Sequence, residues 1–424
     1  MDADPAVEPV LDGFSRILPL PYRVSIILLC GVWAWGLNLH YLHAIKIDVP
    51  ALIRYGPPSN PHLLPRPALL HHTTTTSQRS QTHHNSVYKV ATILTVPLIA
   101  SLLLFWLITH GQPARVAAWQ ILPQVYLAFF FVFLAVPIKR LSHNGRSRFV
   151  QTLKRVSIGG LAQPSEGKFG DILLADVLTS YAKVLGDLFV STCMLLDRST
   201  TSTSTPNRNC GGAYLVPLVI AIPSLIRLRQ CLIEYIRVRR DPGNHPGWGG
   251  QHLANALKYS SAFPVIVLSA IQRGYDPSKI HLSESSLFRL WLFFVFLNSL
   301  FSFYWDVAKD WDLNLLSLSA RKRNAPDQYP YGLRKNRHFH APQIYYVAIL
   351  LDFFLRCTWS IKLSPHLDHF NDLEGGIFLM ELLEVVRRWM WVFLRVETEW
   401  VRNMTSGPEQ DDILLGEFGK IDED

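Results

Sequence analysis

The chain has 424 residues, of which 49% are hydrophobic, 12% aromatic and only 17% charged. Soluble domains carry roughly a quarter charged residues, so the deficit points to a polytopic membrane protein. The formal net charge of +8 does not point to nucleic acid, because the basic residues sit in loops between apolar runs, as the positive-inside rule requires.

The first residues carry Asp2, Asp4, Glu8 and Asp12 without a basic n-region, so no cleaved signal is expected and residues 1–21 read as an N-terminal tail. Nine runs then approach the ~20 apolar residues that span a bilayer. They are 22–42, 90–109, 119–137, 171–196, 213–233, 254–271, 287–305, 344–363 and 377–396. A tenth element, 146–158, is basic and amphipathic, suited to lying at the interface or to a short crossing. The expected fold is an all-α bundle of nine to ten membrane spans. Its regions are an N-terminal part of three spans (22–140), a basic connector (141–169), a six-helix part (170–403) and an acidic flexible tail (404–424).

The stretch 71–85 (HHTTTTSQRSQTHHN) and the stretch 200–209 read as low-complexity, disordered loops. The histidines of the first are not framed by a metal-binding pattern, and no metal site or cofactor is expected. Cys30, Cys193, Cys210, Cys231 and Cys357 show no CxxC spacing and read as small buried residues. Lys and Arg crowd the loops 138–170, 234–253 and 306–343 and are sparse in 197–212, 272–286 and 364–376. The first set and the C-terminus are therefore cytoplasmic. Nine crossings put the N-terminus in the lumen. A tenth by 146–158 returns it to the cytoplasm, the option this reading adopts.

Ionisable residues recur inside the apolar runs, where each charge is worth roughly 2.5–3.5 kcal/mol of penalty and needs a partner or a wet cavity. In the fourth run Asp176, Thr179, Lys183 and Asp187 lie at i, i+3, i+7 and i+11, one stripe of a helix. The fifth run carries Arg227 after Pro223, and the sixth brings Asn255, Lys258 and Tyr259 onto one face. Asp306 and Asp310 follow the seventh run one turn apart, each beside a tryptophan. Asp352, Arg356 and Trp359 share a face of the eighth, and Glu381, Glu384, Arg388 and Arg395 one of the ninth, with Arg387 to one side. Guanidinium forks suit oxyanions. The blander alternatives are neutralised packing stripes and arginines that snorkel to headgroups. No P-loop, GxSxG, HExxH, zinc set or dinucleotide fingerprint occurs, so no enzyme is expected.

These segments resemble the EXS-domain family of eukaryotic phosphate exporters. The resemblance is carried by LADVLTS (174–180), AIPSLIRLRQCL (221–232), NALKYSSAF (255–263), FYWDVAKDWDL (303–313), LRCTWSIKL (355–363) and LLEVVRRWMWVFLRVETEW (382–400). WGLNLHYL (35–42) extends it more weakly into the first spans. The resemblance implies a phosphate pore in the last six helices, contacted by Asp176, Arg227, Lys258, Tyr259, Asp306, Arg356, Trp359, Arg387 and Arg388. It makes Trp359 the gate and Glu384 the neutralising partner of the arginine pair, with Glu381, Asp310 and Asp352 as further charge balance. Thr179 stands where the family motif has Asn, and Val177 where it has Gln, although a hydroxyl still donates.

Long members begin with an SPX domain, for which the residues before Tyr22 leave no room. The chain is therefore similar to the short, SPX-less Golgi branch of the fungal ER-retention-defective protein. That branch implies return of lumenal phosphate from glycosylation to the cytosol, with links to glycosyltransferase recycling and ER-protein retention. The expected partners are phosphate and membrane lipids, with glycosyltransferases or coat proteins as further ones. A homodimer through the first spans stays open, and no nucleic acid is expected. The competing reading is a sorting scaffold that binds glycosyltransferase tails or coat proteins without transport. A second is a transferase built on Asp306 and Asp310.

Overall fold

An apolar run in a bilayer must satisfy its backbone groups internally, and each run here does so as a helix. The computed structural model describes residues 12–53, 73–136, 143–163, 166–197, 201–240, 248–278, 282–316, 330–339, 341–358 and 374–405. In chain order the helices are α1 (Gly13–Ile17), α2 (Leu20–Ala44), α3 (Val49–Leu52), α4 (Thr73–Thr109) and α5 (Pro113–Ala118). They continue with α6 (Ile121–Ala135), α7 (His143–Lys154), α8 (Lys168–Ser180), α9 (Ala182–Leu196) and α10 (Leu215–Arg240). The last are α11 (Gly250–Ser260), α12 (Ala262–Arg273), α13 (Glu284–Trp305), α14 (Pro342–Arg356) and α15 (Glu374–Thr405). No strand occurs among the described residues.

Five helical stretches are long and apolar enough to cross a membrane: Leu20–Ala44, His83–Thr109, Leu215–Arg240, Gly250–Arg273 and Glu284–Asp310. The chain is thus a multi-pass membrane protein. The other expected runs fall short of that measure for physical reasons. The run 171–196 is broken at Tyr181 into α8 and α9, and it carries four charged residues, Asp171, Asp176, Lys183 and Asp187. α15 is long but dense in Glu and Arg, and α6 and α14 have 15 residues each.

The ends of neighbouring helices can be matched by contact. Trp106 near the end of α4 donates to Ile17 O at 2.7 Å, and Gln124 early in α6 donates to Ser191 O late in α9 at 3.1 Å. Arg23 at the start of α2 bonds Glu374, the first residue of α15, at 2.7 Å, and Arg208 of the loop 201–212 bonds the same carboxylate. At the opposite end His338 Nε2 donates to Ile45 O at 2.6 Å. The start of α2 therefore lies at the end of the bundle that holds loop 201–212. The connector is tethered at both ends. Arg146 of α7 donates to Phe133 O and Val136 O at the end of α6, while Arg155 in the π-turn after α7 clasps Asp171 at the start of α8.

Two further expectations change. Residues 73–85 are not a loop but the opening turns of α4. The loop 201–212 is ordered: Cys193 and Cys210 form a disulfide, Ser202 N donates to Gln120 Oε1 at 2.8 Å, and Thr203 Oγ1 donates to Val116 O at 2.8 Å. A polar loop keeps one conformation when its donors find buried acceptors. The acidic residues beyond 405, residues 364–373 and Trp359 lie outside the described residues.

Close approach of helices rests on small residues. A Cβ on Gly31 of α2 would fall 2.0 Å from the Tyr181 hydroxyl oxygen, and one on Gly186 of α9 would fall 2.9 Å from Ile220 Cγ1. Large apolar side chains on α4, α6, α10, α13 and α14, such as Leu107, Val132, Leu218, Phe293 and Phe354, point outward, as a lipid-facing surface requires.

Candidate functional site

The site is assembled from α8, α10, α11, the turn after α13, α14 and α15. Each supplies charged side chains that burial forces to find one another. At one corner Arg227 Nε of α10 donates to Asp176 Oδ1 of α8 at 2.7 Å, and the Tyr259 hydroxyl of α11 donates to the same oxygen. Arg227 Nη1 reaches Gln230 Oε1 at 2.7 Å, and its guanidinium stacks 4.9 Å from the centre of the Tyr259 ring. Gln230, one turn along α10, was not singled out from the sequence; its i+3 offset from Arg227 is the signal that marks it.

The opposite corner is centred on Asp306. After Trp305 the helix widens into a π-turn over Asp306–Asp310, closed by Trp311 N donating to Asp306 O at 2.9 Å. Such π-turns commonly sit at functional positions because they re-aim side chains. Asp306 Oδ2 accepts from Arg356 of α14 and, at 3.4 Å, from Arg387 Nη1 of α15. Asp352, one turn before Arg356, accepts from Arg356 Nε at 3.2 Å and from Arg387 Nη1 at 3.1 Å. Glu384 holds Arg387 through two bonds, Nε to Oε2 at 2.9 Å and Nη2 to Oε1 at 2.6 Å. Arg387, only 1% exposed, thus spends every nitrogen on carboxylates.

Between these corners stand cations with weaker partners. Lys258 Nζ is 4.0 Å from Asp306 Oδ1 and rests over the rings of Tyr259 and Trp305, at 4.7 and 5.7 Å. Arg388, 7% exposed, donates to Ser180 Oγ at 2.8 Å and to Thr179 Oγ1 at 3.1 Å, and its guanidinium lies 4.5 Å over Trp391. Lys258 thus holds a carboxylate only at 4.0 Å, and the hydrogen bonds of Arg388 go to hydroxyls. Ser180 Oγ donates onward to Glu384 Oε1 at 2.7 Å. Ser180 lies at i+4 from Asp176, so the helical face could have revealed it, as could the i+3 offset of Trp391 from Arg388.

Of the residues singled out from sequence, Asp176, Thr179, Arg227, Lys258, Tyr259, Asp306, Arg356, Arg387, Arg388, Glu384 and Asp352 come together. Asp310, half-buried, stands near Lys258 without pairing to it. Glu381 does not join the arginine pair and instead faces Asp187, Lys183, Arg208 and Arg23. Its i+3 spacing to Glu384 predicted a shared face correctly but not the level along the helix. Arg395 also leaves the site, pairing with Glu399 at 2.8 Å. Arg229 and Arg237 bind backbone carbonyls of the connector at 2.7 to 3.2 Å, an anchoring role. No cluster of three or more His, Cys, Asp or Glu residues that could hold a metal occurs among the described residues.

The sequence matches the EXS family over residues 18–401, which takes in every helix that builds the site. The chain belongs to the EXS family. It is similar to Protein ERD1 homolog 2 of Schizosaccharomyces pombe, at 28% identity over 399 residues, covering 90% of this chain and 96% of that protein. Protein ERD1 of Kluyveromyces lactis is 29% identical over 294 residues, 68% of this chain and 71% of that protein. Solute carrier family 53 member 1 of Homo sapiens is 27% identical over 341 residues, 77% of this chain but 45% of that longer protein. In this EXS chain the cluster brings five buried or half-buried cations, Arg227, Lys258, Arg356, Arg387 and Arg388, among the carboxylates of Asp176, Asp306, Asp352 and Glu384.

Proposed function

We propose that this EXS protein is a channel or transporter for inorganic phosphate, with nine crossings and the disulfide-bearing end in the lumen. The observation that carries the reading is the pair Lys258 and Arg388. Both are buried cations on different helices: Lys258 meets Asp306 only at 4.0 Å, and Arg388 donates to the hydroxyls of Ser180 and Thr179. Buried cations held only by a long ion pair or by hydroxyls are costly, so a cluster kept this way fits a protein that accepts a mobile anion. The guanidinium forks of Arg356, Arg387 and Arg388 replace phosphate hydration, and Asp306, Asp352 and Glu384 keep the affinity low enough for release. The substrate passes chemically unchanged, and Trp359 serves as gate. The six-helix part 170–403 forms the pore, carried by the three preceding spans.

Likeness to the ERD1 proteins supports placing this activity in the Golgi membrane, returning lumenal phosphate from glycosylation to the cytosol. A linked role in glycosyltransferase recycling and ER-protein retention belongs to the same proposal. The test is radiolabelled phosphate uptake into liposomes holding the purified chain, with sulfate as comparison. Arg356→Ala and Arg388→Ala should each abolish phosphate flux while the protein stays folded. Wild-type flux in both variants sinks the assignment. Loss of cargo binding on removing the residues after Met404, from a chain that conducts no phosphate, supports a sorting scaffold instead.

A further inference from the structure

Glu381 is a buried carboxyl group, 5% exposed, that makes no hydrogen bond and no ion pair among the described residues. It lies on α15 one turn towards the disulfide-bearing end from Glu384, which bridges Ser180 and Arg387. Its charged neighbours are Asp187 and Lys183 of α9, Arg208 of the loop 201–212 and Arg23 of α2. The two arginines are already engaged. Arg208 binds both oxygens of Glu374, at 2.7 and 3.0 Å, and stands 3.8 Å from Asp187, while Arg23 binds Glu374 at 2.7 Å. Arg273 of α12 also acts on Arg208 and Asp187. Glu381 therefore sits on α15 between its Glu374 end and Glu384, beside a second acid, with Arg208 and Arg23 committed to Glu374 and the exposed Lys183 as its remaining cationic neighbour.

Burying a carboxylate without a donor is costly, and a proton removes that cost. We propose that Glu381 is a proton-binding site that couples passage of the oxyanion to the acidity of the disulfide-bearing end. The inference rests on the reading of the chain as a phosphate pathway. A proton on Glu381 removes one negative charge from the approach to Lys258 and Arg388, so an arriving anion meets a more positive potential. Deprotonation restores the repulsion, which is strong at short range away from bulk water. Flux should therefore rise several-fold as the medium at that end is acidified.

The experiment uses the full chain in liposomes, with radiolabelled phosphate and pH stepped separately on each side. It is paired with infrared spectra of the same purified protein. Wild type should conduct faster as the disulfide-bearing side turns acid. Glu381→Gln, which mimics the protonated form, should hold the acid-side rate at every pH and lose a protonated-carboxyl band. Glu381→Asp should keep a pH response. A wild-type pH profile that persists in Glu381→Gln overturns the proton site and leaves the phosphate pathway standing. Absence of phosphate flux at every pH overturns the pathway and the coupling together.

Discussion

Arg388 of α15 donates to the hydroxyl of Ser180 on α8 at 2.8 Å, and that hydroxyl donates in turn to Glu384 at 2.7 Å. One oxygen thus stands between a cation and the carboxylate that would otherwise neutralise it. The serine holds Arg388 in place while Glu384 spends both oxygens on Arg387, so the two adjacent arginines are electrically unequal.

Ser180→Ala removes this spacer. Both of its hydrogen bonds are to charged groups, each worth roughly 1.5–3 kcal/mol, so the protein should lose stability but remain folded. Phosphate flux in liposomes should fall several-fold, because Arg388 becomes free to turn towards Glu384. Ser180→Thr keeps the hydroxyl and should preserve most of the flux. Unchanged flux in Ser180→Ala would show that the bridge does not position Arg388.

Asp176→Asn leaves Arg227 buried without its carboxylate. Breaking one partner of a buried pair costs roughly 3–5 kcal/mol, so the midpoint of thermal unfolding in detergent should drop clearly. Adding Arg227→Gln should recover part of that loss, because the stranded charge is then gone. Additive losses in the double variant would contradict a direct pair.

The Cys193–Cys210 disulfide closes a loop with a sequence separation of 17. A loop of that size limits the unfolded chain by about 3 kcal/mol on the chain-entropy account. Cys193→Ser and Cys210→Ser should each lower thermal stability by a similar amount, and reductant should lower wild type to the same level. Insensitivity of wild type to reductant would refute the bond.

Glu397 of α15 accepts from Arg334, from His338 N at 2.8 Å and from the Tyr345 hydroxyl at 2.6 Å. Arg334 also donates to Thr398 Oγ1 at 2.7 Å, so segment 330–339 is clamped to the last helix beneath the site. Glu397→Ala strands the guanidinium and should destabilise by roughly 3–5 kcal/mol. Limited proteolysis should then cut segment 330–339 much faster than in wild type. Equal cleavage rates would show that the clamp does not restrain the segment.

Much of this protein could be read from residue order. Apolar run length and the low charged fraction determined an all-helical membrane chain, because a bilayer leaves the backbone no other way to satisfy itself. Helical spacing placed Asp352 with Arg356 and Lys258 with Tyr259 on common faces, since the 3.6-residue period is local. The EXS motifs named most of the buried cations.

What lay beyond reach depends on which helix meets which, and at what height. Spacing put Glu381 and Glu384 on one face. Only the neighbouring helices send Glu384 to Arg387 and Glu381 to Asp187, Lys183 and the arginines of the disulfide-bearing end. The break at Tyr181, the π-turn at Asp306 and the joining of Cys193 to Cys210 likewise arise from packing and chain closure. A charge in a low-dielectric interior takes its role from its nearest counter-charge, and that distance is set by the tertiary arrangement alone.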